Sequence, residues 1–179
     1  MKLKQALQTA LEFEQKGHDI YIKASQKTNN PIVKKTFAYL AEQEINHINE
    51  IKQFIKTEHP DFEFKGDTLE GVQKMFKDIM KDFKEKTELS GDDIKAHETA
   101  LHLEKSAYNF YKEQLGQIEK LENPDKHNIS EDEKQKMIRF FTFLMEQENA
   151  HYEFIQKAYE FIKDPVSFFS GEEGWIVEG

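Results

Sequence analysis

At 179 residues the chain is long enough to bury a substantial core, and its length suits a single domain. A formal net charge of −9 argues against a partner made of nucleic acid, whose phosphates it would repel, and against an anionic membrane surface, which attracts basic segments. The lack of any cysteine excludes a disulfide framework, a thiolate metal site and a redox dithiol, while 8 Gly and 4 Pro among 33% charged residues favour long helices over strands and turns.

The N-terminal stretch MKLKQALQTALEFEQ has no apolar core long enough for a signal peptide, and no run reaches transmembrane length, so the expectation is a soluble, cytoplasmic protein. A first helix is predicted from Leu3 to Lys27, with Leu3, Leu7, Ala10, Leu11, Ile20 and Tyr21 on one 3.6-period face that also carries Glu14. Asn29-Asn30-Pro31 ends it and starts the next, because Asn30 can cap and Pro31 suits a first helical turn. The second helix, Pro31 to Lys56, should bury Val33, Phe37, Leu40, Ala41, Ile48, Ile51 and either Phe54 or Ile55, and Glu44 and His47 fall on that stripe. The short loop between the two makes them antiparallel neighbours.

From His59 to Gly91 the pattern changes: Asp61 to Gly66 reads as extended or irregular, and Val72 to Phe83 as a short amphipathic helix. A connection of this length is what a four-helix bundle needs when consecutive helices run parallel. Ser90-Gly91-Asp92-Asp93 opens a third helix to about Leu121, facing inward with Ala100, Leu101, Glu104, Ala107, Tyr108, Tyr111 and Leu115. Asn123-Pro124-Asp125 stops it. Ser130 to Glu133 then fits a capping box for a fourth helix that runs to Lys163 through Met137, Phe140, Phe141, Leu144, Met145, Ile155 and Tyr159, with Asp164-Pro165 as its end. The first domain is thus 1–163. The remainder, 164–179, holds the single tryptophan, Trp175, beside Ile176 and Val177, and is expected to pack on the bundle or on a partner.

The halves repeat. Leu11-Glu12-Phe13-Glu14 with Tyr21 aligns with Leu101-His102-Leu103-Glu104 with Tyr111, each tyrosine lying about two turns beyond its glutamate and so on the same face. Leu40-Ala41-Glu42-Gln43-Glu44-Ile45-Asn46-His47 aligns with Leu144-Met145-Glu146-Gln147-Glu148-Asn149-Ala150-His151, each holding Glu-x-x-His. Residues at i and i+3 share a helix face, so one carboxylate and one imidazole can grip a metal ion from the same side. Glu-x-x-His alone is weak, since about one of the seven histidines meets it by chance. Two copies on apolar-face positions, with a glutamate and a tyrosine at matching places on the other two helices, make a specific joint pattern. The alternative is that these are surface glutamates and core histidines, but four buried carboxylates facing one another would repel unless cations compensate. Glu12, Glu42 and Glu146 lie about 200° away around their helices and read as solvated. His18, His59, His97, His102 and His127 lack the pattern and read as surface or loop residues. Phe37, Phe140, Phe141 and Phe143 read as core.

LAEQEINH, LMEQENAH and the two Glu-x6-Tyr helices resemble the rubrerythrin branch of the ferritin-like superfamily over most of residues 1–163. The resemblance implies an all-α, ferritin-like antiparallel four-helix bundle with a long crossover between helices 2 and 3. It implies two iron ions, with manganese or zinc as substitutes, on Glu14, Glu44, His47, Glu104, Glu148 and His151. Glu44 and Glu148 would bridge the ions, Glu14 and Glu104 would be terminal, and Tyr21 and Tyr111 would donate hydrogen bonds to the ligands. It further implies an oxidoreductase that reduces hydrogen peroxide or dioxygen, or oxidises Fe(II), and a homodimer. Two departures stand out. Rubrerythrins proper carry a further glutamate one turn after the third-helix ligand, where this chain has Ala107, and they usually carry a four-cysteine iron domain, where this chain has no cysteine. Electrons are therefore expected from an external donor protein or from Fe(II) itself. A non-catalytic iron-binding or iron-handling module is the competing expectation.

Overall fold

The computed structural model describes residues 3–56, 89–122, 124 and 129–164. Nearly all of these lie in four helices: α1 (Leu3–Lys27), α2 (Pro31–Lys56), α3 (Gly91–Glu119) and α4 (Glu131–Lys163). No strand occurs among the described residues. Local chemistry explains the helix starts. Asn30 Oδ1 accepts from the amides of Ile32 (3.0 Å) and Val33 (3.2 Å), with Pro31 in the first turn, where its missing N–H costs nothing. Ser90 and Asp93 satisfy each other's end groups ahead of α3, and Ser130 and Glu133 do the same ahead of α4. The acidic first turns of α3 and α4 also suit the positive end of each helix dipole. α3 stops at Glu119, two residues short of the expected Leu121, whose carbonyl accepts from Lys134 Nζ at 2.9 Å.

Contacts across the bundle set the topology. Glu14 meets His47, and Tyr21 stacks on Phe37, so α1 and α2 are antiparallel. Glu104 meets His151, and His97 meets Tyr159, so α3 and α4 are antiparallel too. Across the halves Glu14 meets Tyr111 and Tyr21 meets Glu104, which makes α1 and α3 antiparallel; His47–Glu148 and His151–Glu44 do the same for α2 and α4. It follows that α2 and α3 run the same way, the arrangement of a ferritin-like four-helix bundle. The crossover, the helix expected at 72–83 and the Trp175 tail lie outside the described residues.

The core is divided in two. One apolar cluster contains Tyr21, Phe37, Leu40, Phe154 and Phe161; the other contains Leu7, Phe54, Tyr111, Phe140 and Phe141. On every helix the Glu or Glu-x-x-His falls between its contributions to the two clusters, so the polar centre sits between two apolar layers. Phe54 is buried and stacked on Phe140, whereas Ile55 is 44% exposed, which resolves that pair. Leu101, Tyr108 and Leu115 on α3, Met145 and Tyr159 on α4, and Leu11 and Ile20 on α1 are only half-buried. They flank the inward stripe, and on α3 its centre is filled instead by His97, Leu103 and Ile118. No described helix is long and apolar enough to cross a membrane.

Candidate metal centre

All six side chains singled out by the repeat, Glu14, Glu44, His47, Glu104, Glu148 and His151, are at most 3% exposed. Each helix reaches the centre because its polar residues interrupt an otherwise apolar inward stripe. Their donor atoms form overlapping groups, each within 4.8 Å: Glu14, Glu44, His47 and Glu148; Glu104, Glu148 and His151; and Glu44, His47 and His151. Glu148 belongs to the group around His47 and to the group around His151, and so does Glu44. His47 Nδ1 lies 3.0 Å from Glu14 Oε2, 3.6 Å from Glu148 Oε1 and 3.8 Å from Glu44 Oε2. His151 Nδ1 lies 3.5 Å from Glu44 Oε1 and 3.6 Å from Glu104 Oε2. The two imidazoles stack, with centroids 5.1 Å apart and planes 15° from parallel.

The tyrosines reach across the repeat. Tyr21 donates to Glu104 Oε1 and Tyr111 donates to Glu14 Oε1, so each hydroxyl holds the glutamate of the other half. The antiparallel register of α1 and α3 causes this, because it sets each tyrosine opposite the partner helix's glutamate rather than its own. Burial and the surrounding carboxylates push both phenols well above their ordinary pKa, so both remain protonated donors.

Without a cation the centre is electrostatically frustrated. Burial, then the charge of Glu14 and its hydrogen bond, then Glu148 and Glu104, push Glu44 well above the usual carboxylate range. Burial and the charges of Glu14 and Glu104 do the same to Glu148. Burial also pushes Glu14 up, but its hydrogen bond with Glu44, the charge and hydrogen bond of His47 and the bond from Tyr111 outweigh it and bring Glu14 down to about 2. Burial pushes His47 down, and the charge and hydrogen bond of Glu14, with Glu50 and Glu104 behind them, lift it above its ordinary value. Glu104 Oε2, Glu148 Oε1 and both nitrogens of His151 are buried without a hydrogen-bond partner. Buried carboxylate oxygens and imidazole nitrogens left in that state, and converging within a few ångströms, fit a metal ion as their missing partner. The mixed oxygen and nitrogen donors suit iron, manganese or zinc.

A family model described as Rubrerythrin matches residues 5–159, the span that holds all four helices almost entirely. The chain belongs to the rubrerythrin family. No curated protein and no solved structure matches it. The match supports a ferritin-like bundle with a buried carboxylate and histidine cluster that could hold metal as the coarse description of this rubrerythrin-family chain.

Its surroundings depart from the repeat at several points. Ala107 lies buried one turn beyond Glu104, and the matching position beyond Glu14 is Gly17. A Cβ at Gly17 would stand 3.1 Å from Glu44 Cδ and 3.3 Å from its Oε1, so α1 approaches that carboxylate as closely as glycine allows. Glu50, one turn after His47, is buried and lifts the His47 pKa by its charge; the Glu-x-x-His-x-x-Glu spacing was the available signal for it. His97 corrects an expectation. It is fully buried, not a surface residue, because two helical turns before Glu104 returns it to the inward face. Its Nδ1 donates to Asp93 O at 2.8 Å, its ring packs on Phe37 and Tyr159, and burial holds its pKa below the ordinary value. Glu12, Glu42 and Glu146 are exposed, and Phe37, Phe140, Phe141 and Phe143 are buried.

Proposed function

We propose that this protein is a non-haem di-iron oxidoreductase of rubrerythrin type, reducing hydrogen peroxide or dioxygen or oxidising Fe(II), with electrons from an external donor. The observation that carries this reading is the sharing of Glu44 and Glu148 between the groups around His47 and around His151. One ion would rest on Glu14 and His47 and the other on Glu104 and His151, with Glu44 and Glu148 common to both. Four carboxylates balance the charge of two divalent ions, which removes the repulsion that lifts Glu44 and Glu148. A bound iron pair supplies two electrons and open coordination positions for an oxygen substrate. The chain does the rest. Tyr21 and Tyr111 keep their protons and fix the orientation of Glu104 and Glu14 through hydrogen bonds. The apolar layers on either side exclude bulk water and hold the helices, and therefore the ligands, at constant spacing.

A second reading, an iron-holding module without turnover, is favoured by Ala107, which leaves no carboxylate one turn after Glu104. The test loads metal-free protein with Fe(II) under anaerobic conditions and adds hydrogen peroxide while the visible spectrum is recorded. Uptake of two irons, oxidation within seconds and repeated cycles when a reductant is present are expected for the oxidoreductase. Tight uptake without reaction with peroxide or oxygen supports the holding module. Failure to take up stoichiometric metal overturns both.

A further inference from the structure

The two faces that flank the centre are unequal. Between α3 and α4 lies a cavity of about 250 Å³ walled by Lys105, Tyr108, Asn109, Asn149 and Tyr152, with Glu148 in its lining. It is far larger than the roughly 30 Å³ a water molecule occupies in the liquid. A neighbouring cavity of about 430 Å³ shares Tyr108 and Asn149 with it and adds the carboxylates of Glu146 and Glu153. A third cavity, of about 770 Å³, lies between the end of α1, the loop that follows it and the start of α3, and touches none of the six residues of the centre. The repeat places Ile45 where Asn149 stands, Ile48 where Tyr152 stands and Asn49 where Glu153 stands. On the α1–α2 face the positions matching Asn149 and Tyr152 are thus apolar, while those matching Glu146, Glu153, Tyr108 and Asn109 are Glu42, Asn49, His18 and Asp19; behind Ile45 and Ile48, Gly17 lets α1 close on Glu44.

We infer that the α3–α4 cleft is the path by which divalent metal ions reach the centre, with Glu148 the first ligand they meet. The inference rests on reading the cluster as a metal centre. A hydrated cation crosses a surface most easily along polar groups, and this face has them in sequence. Glu146 and Glu153 raise the local cation concentration at the outer cavity. The side-chain N–H of Asn149 is held by Glu153 Oε1 at 2.9 Å, so its remaining polar atom is an oxygen, the donor a hard cation takes. At the inner end Glu148 presents a carboxylate whose Oε1 is buried without a hydrogen-bond partner. Lys105 is the one opposing charge in the inner wall. It is exposed and so screened by solvent.

The test follows Co(II) uptake by the metal-free full chain in a stopped-flow spectrophotometer, reading the visible absorption of the bound ion. Asn109→Trp, at an exposed position in the wall, should slow uptake at least about tenfold. Stoichiometry and affinity should not change, since an obstruction slows arrival and departure alike. Ile45→Trp, on the opposite face, should leave the rate as it was. Glu146→Gln combined with Glu153→Gln should slow uptake several-fold at low salt, and the difference should vanish at 1 M salt, where the screening length is about 3 Å. Equal rates in wild type, Asn109→Trp and the double variant, or slowing by Ile45→Trp alone, overturn the path while leaving the metal centre intact. If the wild type takes up no stoichiometric Co(II), the centre itself falls, and the path with it.

Discussion

The α1–α2 and α3–α4 hairpins supply the same three potential ligands each, yet they hold them differently. In the first, His47 is fastened to Glu14 at 3.0 Å, Glu50 adds a second buried charge beside it, and α1 presses on Glu44 through Gly17. In the second, His151 has no hydrogen bond, Phe154 stands where Glu50 would be, and a polar cleft reaches Glu148. The repeated part is the set of groups that must converge on a common centre. The divergent part is the surroundings: one hairpin ties its ligands down by direct contacts, and the other borders a polar cleft. A two-metal site built this way would have one tightly seated flank and one flank through which ions exchange.

The most severe way to break the comparison is to remove the groups that both halves share. Glu44→Gln and Glu148→Gln should each weaken metal binding by more than about a hundredfold, read by titration with Co(II) or Mn(II), because each removes a ligand charge from both ion positions. The metal-free protein should respond in the opposite sense. Glu44 and Glu148 bind protons more tightly folded than unfolded, so the native state holds more protons above their unfolded pKa of about 4.3. Stability therefore falls as pH rises from there through the raised folded pKa, and His47 adds to the same trend above about 6.5. Glu14 opposes it only below about 4.3, where the unfolded carboxylate protonates while the folded one, at about 2, does not. The melting temperature of the metal-free chain should thus climb as pH is lowered from about 8 to about 5.5, and either Gln variant should flatten the climb. With metal bound the slope should reverse, since protons then compete with the ion for the ligands.

Gly17 and Ala107 offer a sharper comparison, because they are equivalent in the repeat and differ by one methyl group. Gly17→Ala should raise the stability of the metal-free protein by about 0.5–1 kcal/mol through helix propensity. It should also push Glu44 aside by a few tenths of an ångström and lower metal affinity about tenfold. Opposite signs in melting temperature and affinity are the signature; an unchanged affinity would show that Glu44 gives way without consequence. Tyr21→Phe and Tyr111→Phe test the crossing. Each should cost about 1 kcal/mol of hydrogen bonding and a several-fold loss of affinity, with the spectral change at the ion near His151 for Tyr21→Phe and at the ion near His47 for Tyr111→Phe.

Much of this was legible in the sequence. Apolar spacing and caps placed α1 and α2 at their observed ends and put the start of α4 on Ser130, because helix termini are local chemistry. That the six centre residues are buried and converge was legible from their repetition taken together with their apolar-face positions. The crossing of the tyrosines was not, since it depends on the register between α1 and α3, which no local pattern records. Gly17 is not legible in the sequence, because a glycine inside a helix has no side chain to read, and its role lies in the close approach of Glu44. The burial of His97 is carried by its helical phase, two turns before Glu104, and not by the Glu-x-x-His spacing, which it lacks.

His97 also provides the mildest test, since its equivalent in the first half is Leu7, an ordinary core residue. His97→Leu makes the two hairpins alike at this position. The swap nearly conserves volume, so at neutral pH stability should change by less than about 1.5 kcal/mol. The carbonyl of Asp93 loses the side-chain donor but remains inside α3, where the helix ladder still uses it. Acid conditions separate the two proteins. Burial holds the folded His97 below the ordinary histidine pKa, so as pH falls below about 6.5 the unfolded chain takes up a proton that the folded chain refuses. That makes His97 an acid-side penalty on folding, opposed to the trend set by Glu44, Glu148 and His47. Relative to wild type, His97→Leu should therefore gain stability as pH drops from about 7 to about 5, measured by denaturant melts at each pH. A constant difference across that range would mean that the imidazole takes a proton in place, and that the contact with Asp93 O and the rings of Phe37 and Tyr159 tolerate its charge.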